Sequence, residues 1–209
     1  MFYPALQYYV ANIESDFHTI PGKRIDIIET LGDYIHKSLR GRGSSELIFI
    51  CTQNSRRSQL GQVWAHTASL YYGIENILTY SGGTESSAFN PRALAAVEKA
   101  GFYIEKAGCT VANPQYIIKA TASEAGILMY SKKYDDPTNP TTGFCAIMVC
   151  SDADKACPLI LGADERISIP YEDPKTFDGT ELETSKYDER CRQFAIELFY
   201  LFNFVRKQS

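Results

Sequence analysis

Apolar residues recur at helical spacing early in the chain. Ile25, Ile27, Ile28, Leu31, Tyr34 and Ile35 follow the break at Ile20-Pro21-Gly22, and their spacing predicts a helix. Gly41-Arg42-Gly43-Ser44-Ser45 closes it. Tyr3-Pro4 opens an earlier helix that runs to Asn12. Residues 1–44 therefore read as a helical N-terminal extension, a packing or dimer-contact arm ahead of the main domain at 45–209. From residue 45 the pattern changes. Residues 47–50 are a short, fully apolar run, as a buried parallel strand requires. Residues 58–72 read as a helix closed near Gly73, and 77–81 as a second strand. Asn90-Pro91 then opens a helix to Ala100, with Gly101 behind it. This alternation predicts an α/β fold with a parallel sheet.

The middle of the chain is less regular. Residues 116–120 and 126–131 suggest two strands, possible partners in a hairpin. Asp135-Asp136-Pro137-Thr138-Asn139-Pro140 is a loop, and 144–149 the next buried strand. Residues 151–180 read mostly as loop around a short strand near 167–169. Residues 182–205 form a long amphipathic helix. The result is a three-layer α/β/α fold with a central, mainly parallel four-stranded sheet, an N-terminal helical arm and an inserted segment at about 103–143.

Bulk properties exclude several classes. The chain has 209 residues, which favours one domain with a sizeable core. A net charge of −4 gives no sign of a nucleic-acid or membrane surface as the main partner. No apolar run approaches the roughly 20 residues that span a bilayer, and Met1 to Asp16 lack the pattern of a secretory signal. Six cysteines in such a length are too few for a disulfide-stapled scaffold. Reactive or buried thiols in a reducing cytoplasm are expected instead.

The sharpest chemical signal follows the first strand, in Cys51-Thr52-Gln53-Asn54-Ser55-Arg56-Arg57-Ser58. Strand before, helix after and an arginine six positions beyond the cysteine suit a nucleophile inside an oxyanion-binding loop. The thiolate is the attacking species, and the positive end of a helix favours it. Inward N–H groups of residues 52–57 would bind an oxyanion. Arg57 can clamp two oxygens, and Ser58 can donate a hydrogen bond to the sulfur. Asn54 suits a left-handed, loop-bracing position. The alternative is a structural cysteine at a strand end with surface arginines beside it.

A second cluster, Cys150-Ser151-Asp152-Ala153-Asp154-Lys155-Ala156-Cys157-Pro158, sets two thiols seven apart after a strand. That strand end should share the sheet edge of Cys51, where ligands of open α/β sheets gather. Buried and unimportant loop thiols, or a zinc pair, are the other readings. The spacing and the distant His18, His36 and His66 disfavour zinc, and no metal or cofactor is expected. Glu172-Asp173-Pro174 is either a solvated turn or a loop that carries a catalytic acid.

Cys51 to Ser58 resembles the active-site loop of the low-molecular-weight protein tyrosine phosphatase superfamily. "FICTQNSRRSQ" is similar to the thioredoxin-coupled arsenate reductases of that superfamily. So are "YSGGTESSAFNPRALAAVEKAG" from 80, "VCSDADKACPLI" from 149 and "EDPKTFDGT" from 172. The resemblance implies arsenate reduction, with Cys51, Cys150 and Cys157 as first, second and third thiols of a relay and thioredoxin as reductant. The runner-up it implies is a phosphatase acting on phosphate esters through a phosphocysteine on Cys51, with Asp173 as the acid. Some departures stand out. Arg56 replaces a cysteine common in the reductases. Lys175 and Thr176 replace the tyrosine pair of the tyrosine phosphatases. Ile169-Pro170-Tyr171 replaces a tryptophan-glycine. Asn54 and Ser81 fit the potassium pattern of some relatives, but Gln62 stands where a carboxylate would help, so the ion is not expected. Asp135, Asp136 and Pro137 read as a turn.

Overall fold

The computed structural model describes residues 1–108, 112–156 and 159–208. The chain runs α1 (Pro4–Val10), α2 (Gly22–Arg42), β1 (Ser45–Cys51), α3 (Arg57–Tyr72), β2 (Ile77–Gly83) and α4 (Pro91–Lys99). Then come β3 (Tyr103–Lys106), β4 (Tyr116–Lys119), β5 (Ile127–Met129), β6 (Phe144–Met148), α5 (Ser151–Ala156), β7 (Ala163–Ser168) and α6 (Glu183–Gln208). Short 3-10 helices span Ile13–Thr19 and Pro174–Phe177.

Strands β2-β1-β6-β7 form one sheet, parallel throughout. Every residue of β6 and nearly every residue of β1 is buried, as expected for apolar strands covered on both faces. Helices flank the sheet, and the fold is the three-layer α/β/α arrangement expected. Helix α3 lies close on β1: a Cβ at Gly61 would fall 2.5 Å from the Phe49 ring. Asn90 caps α4 by accepting the N–H groups of Arg92 and Ala93, and Pro91 fills the first turn. Gly73, at φ 66°, closes α3.

The predicted hairpin at 116–131 exists, with β4 and β5 antiparallel. Its third strand, β3, pairs with β4 and has an exposed, mixed pattern, YIEK, that gives no strand signal. The region 151–180 is more ordered than its Asp, Pro and Gly content suggests. It holds α5, the whole of β7 and a 3-10 turn. Leu6, Val10, Ile13, Ile28, Leu31 and Ile35 of the N-terminal arm share the hydrophobic core of the sheet. Helix α2 packs on α6, where Gly32 lets the Phe204 ring approach.

Candidate active site

Strand β1 pairs with β2 on one side and β6 on the other, so the chain order reverses across β1. A crevice opens at such a switch point, beyond the carboxyl ends of the strands. The register sets Ile50 beside Met148, which carries Cys51 and Cys150 to the same edge, as expected.

The loop after β1 is built with its carbonyls turned out. Cys51 O accepts the Thr84 N–H at 3.1 Å, and Thr52 O accepts the Glu85 N–H at 2.8 Å. Gln53 O accepts the Ser131 hydroxyl at 2.9 Å. Asn54 O accepts Gln59 Nε2 at 2.8 Å, and Ser55 O accepts the Asn90 N–H at 2.8 Å. Across a trans peptide the next N–H points the opposite way. The amides of residues 52–56 therefore face the loop interior, and the N-terminus of α3 adds its own. Asn54 takes the left-handed conformation, φ 45°, as its position suggested. Its side chain donates to Ser58 Oγ at 2.8 Å and accepts the Lys132 N–H at 2.8 Å. Ser58 Oγ in turn lies 3.1 Å from Cys51 Sγ. Behind the loop, a Cβ at Gly83 would fall 2.7 Å from both Thr52 O and Asn54 N, so only glycine fits there.

Two arginines meet one carboxylate. Arg57 donates from Nη2 to Asp173 Oδ2 at 2.8 Å and from Nη1 to Tyr171 O at 3.0 Å. Its Nε is buried with no partner among the described residues. Arg56 does not turn to solvent. It donates from Nε to Asp173 Oδ1 at 2.9 Å and from Nη2 to Oδ2 at 3.4 Å. Burial alone would raise the Asp173 carboxyl. The Arg57 charge, the Lys175 N–H and Arg56 outweigh it and hold the group below the ordinary carboxylate range.

Cys150 is fully buried, 3.4 Å from the hydroxyl of Thr52, the loop residue next to Cys51. Burial works against its thiolate. Hydrogen bonds from Thr52 and the Ala153 N–H, the Arg57 charge and the Asp152 N–H prevail and lower its pKa. Cys191 is pushed up to about 12, first by burial, and burial also drives Cys145 upward. Those two remain protonated thiols at neutral pH. Cys157 and Cys109 lie outside the described residues.

Cys51, Thr52, Gln53, Ser55, Arg56, Arg57, Asp152, Asp173 and Lys175 line a cavity of about 270 Å³. Asp152 and Lys175 had given no functional signal in the sequence. No aromatic side chain lines it among the described residues. Sequence reasoning also missed the braces. Ser131 and Lys132 lie between β5 and β6 and hold the back of the loop, and Ser131 Oγ also accepts the Ser87 N–H at 2.7 Å. Among the described residues, no group of three or more His, Cys, Asp or Glu is arranged to hold a metal, and no helix is long and apolar enough to cross a membrane.

No protein-family model matches the chain. The arsenate reductase of Bacillus licheniformis is 28% identical over 147 residues, covering 70% of this chain and 86% of the relative. That of Bacillus subtilis is 26% identical over 146 residues, again 70% and 86%. Among solved structures, a low-molecular-weight phosphotyrosine phosphatase from Vibrio cholerae superposes with a TM-score of 0.54 at 11% identity, over 79% of this chain and 99% of that one. The corresponding phosphatase from T. tengcongensis gives 0.52 at 15% identity, over 77% and 99%. The chain is thus similar in sequence to curated arsenate reductases and shares its fold with low-molecular-weight phosphotyrosine phosphatases.

Proposed function

We propose that this enzyme reduces arsenate through a relay of three cysteines. The Cys51 thiolate attacks arsenic and displaces water, with Arg57 and the loop amides holding the remaining oxygens. Cys150 then attacks Cys51 Sγ. The sulfur–arsenic bonding pair passes to arsenic, and arsenite leaves with a Cys51–Cys150 disulfide behind it. Cys157 attacks Cys150 and frees the Cys51 thiolate, and a thioredoxin-type dithiol reduces the Cys150–Cys157 disulfide. Two thiols are oxidised for each arsenic reduced.

The observation that carries this reading is the place and state of Cys150. It lies against Thr52 with its pKa lowered by its hydrogen bonds and the Arg57 charge, whereas burial raises those of Cys145 and Cys191. Ester hydrolysis has no use for such a thiol. The small polar cavity, without an aromatic wall, suits an inorganic oxyanion better than an aryl ester.

Mass spectrometry after one arsenate turnover should find a Cys150–Cys157 disulfide. Cys150→Ser and Cys157→Ser should each abolish multiple turnover with thioredoxin, and full activity in both variants would rule the relay out. The second reading is a phosphatase acting through a phosphocysteine on Cys51, favoured by the contact of Asp173 with Arg57. It requires p-nitrophenyl phosphate turnover that survives both serine changes and is lost with Cys51→Ser. A homodimer formed through residues 1–44 is a further proposal: sedimentation of the full chain should find a dimer that Tyr8→Glu, at an exposed position of α1, splits, and a monomeric wild type would overturn it.

A further inference from the structure

The N-terminal arm reaches toward the active site through Arg24. Arg24 sits in the first turn of α2, with little of its side chain exposed. Its Nη1 donates to Pro170 O at 2.7 Å. Its Nε bonds both oxygens of Glu197, on α6, at 2.9 Å each. The guanidinium lies 4.3 Å from the centroid of the Tyr171 ring, which stacks on Phe194 with centroids 3.7 Å apart. Pro170 and Tyr171 belong to the segment that leaves β7 and carries Asp173. On its main chain, Tyr171 donates its N–H to Val149 O at 3.1 Å and accepts Arg57 Nη1 at 3.0 Å.

We propose that Arg24 is a positioning residue: by fixing Pro170 and Tyr171 it holds the carbonyl that orients Arg57, making the N-terminal arm part of the oxyanion site. The inference rests on Arg57 being the oxyanion clamp, which reduction and ester hydrolysis share. The physical argument is one of preorganisation. Arg57 has several rotatable bonds and must present a fixed fork to the oxyanion. A carbonyl that is itself fixed removes much of that freedom before binding. The Tyr171 carbonyl is fixed from three sides: the Val149 bond on its own main chain, the stack on Phe194, and the Arg24 contacts. Only the last comes from residues ahead of β1. A planar guanidinium is required, because one group bonds the Glu197 carboxylate, reaches the Pro170 carbonyl and covers a ring face.

The test is calorimetric binding of inorganic phosphate to the full-length chain. Arg24→Met, which keeps the side-chain bulk and removes the donors, should weaken phosphate binding about 5- to 10-fold. Backbone hydrogen exchange across residues 169–173 should quicken. Arg24→Lys, which restores a charge and one donor, should recover part of the affinity. Glu197→Gln, far from the cavity, should give a smaller loss in the same direction and keeps the question answerable if Arg24→Met does not fold. A lowered melting temperature with unchanged phosphate affinity and unchanged exchange at 169–173 would overturn the proposal. A wild type that binds no phosphate would overturn both this inference and the reading of the loop. Absence of arsenate reduction with the affinity pattern intact would remove only the relay.

Discussion

Asp173 engages the arginine that the proposed oxyanion would need. Arg57 Nη2 lies 2.8 Å from Asp173 Oδ2, so a bound tetrahedral anion must compete for that guanidinium. A hydrogen bond between charged groups is worth about 1.5–3 kcal/mol. The Asp173 side chain is 23% exposed, and water recovers part of that on release. Arg56 also keeps its hold on Oδ1 after Arg57 turns away. The net competition is then about 1–1.5 kcal/mol, or roughly tenfold in affinity. Asp173→Asn should therefore bind sulfate about tenfold more tightly than the wild type in calorimetry near neutral pH and at about 0.1 M ionic strength, where screening acts beyond about 10 Å. Sulfate is the useful probe because it stays dianionic across the range.

The pH dependence gives a second, independent sign. In the free site Asp173 titrates below the ordinary carboxylate range. A bound dianion takes Arg57 and sets a like charge nearby, so the Asp173 pKa rises on binding and the complex takes up a proton. Wild-type affinity for sulfate should climb as pH falls toward the acid side of neutrality, while Asp173→Asn stays flat. The two curves should converge at low pH. The reasoning is refuted if the variant binds sulfate no more tightly than the wild type, or if both proteins show the same pH dependence. For the free protein the linkage runs the other way. A depressed carboxyl contributes stability above the unfolded value of about 3.9 that is lost as pH falls through the folded value. Asp173→Asn should lower the melting temperature at neutral pH, and the difference should shrink in acid.

Three other perturbations test separate parts of the loop. Ser58→Ala removes the hydroxyl 3.1 Å from Cys51 Sγ; losing one hydrogen bond to the thiolate should slow iodoacetamide alkylation of Cys51 about tenfold or more at slightly acid pH. Gly83→Ala would drive a Cβ into Thr52 O and Asn54 N; about 2–3 kcal/mol of overpacking should lower the melting temperature by about 4–10 °C and weaken phosphate binding. Arg56→Ala frees Asp173 from one of its two guanidinium partners. The ratio of phenyl phosphate to p-nitrophenyl phosphate turnover should rise about 3- to 10-fold, because the poorer leaving group depends more on a protonated acid.

What was legible in the sequence depended on how local its cause was. Strand β1, helix α3 and the Asn90 cap follow from short-range patterns. An apolar run, a helical repeat and a cap residue before proline each act within a few positions. The Cys51 loop was equally visible because its parts are contiguous and each has one chemical purpose. The pairing of Arg56 with Asp173 was not, since 117 residues separate them and nothing local links an arginine in one loop to a carboxylate in another. Ser131 gave no signal for the same reason: a serine in an irregular stretch is ordinary until the fold brings it to Gln53 O. Strand β3 was missed because an exposed edge has no need of an alternating apolar face. The short helix after Cys150 lay in a polar stretch that reads as loop.

Two chemistries compete for one thiolate, and the surroundings of that thiolate bear on them unequally. Hydrolysis of an unactivated ester needs a proton delivered to the leaving oxygen. The group that the phosphatase reading assigns to deliver it, Asp173, is held ionised by Arg57 and Arg56. A bound oxyanion removes the first of these contacts and leaves the second, so Arg56 still opposes protonation when the substrate is seated. Displacement of water from arsenate makes a smaller demand on an acid, because the departing oxygen can carry protons of its own. The next demand is for a second nucleophile, and Cys150 is a buried thiol beside the loop whose pKa its surroundings lower. Under the proposed reading, an arginine at position 56 would weaken the hydrolytic exit at the same time as Cys150 opened the reductive one. Arg56 would then be a determinant of which reaction follows the shared first attack.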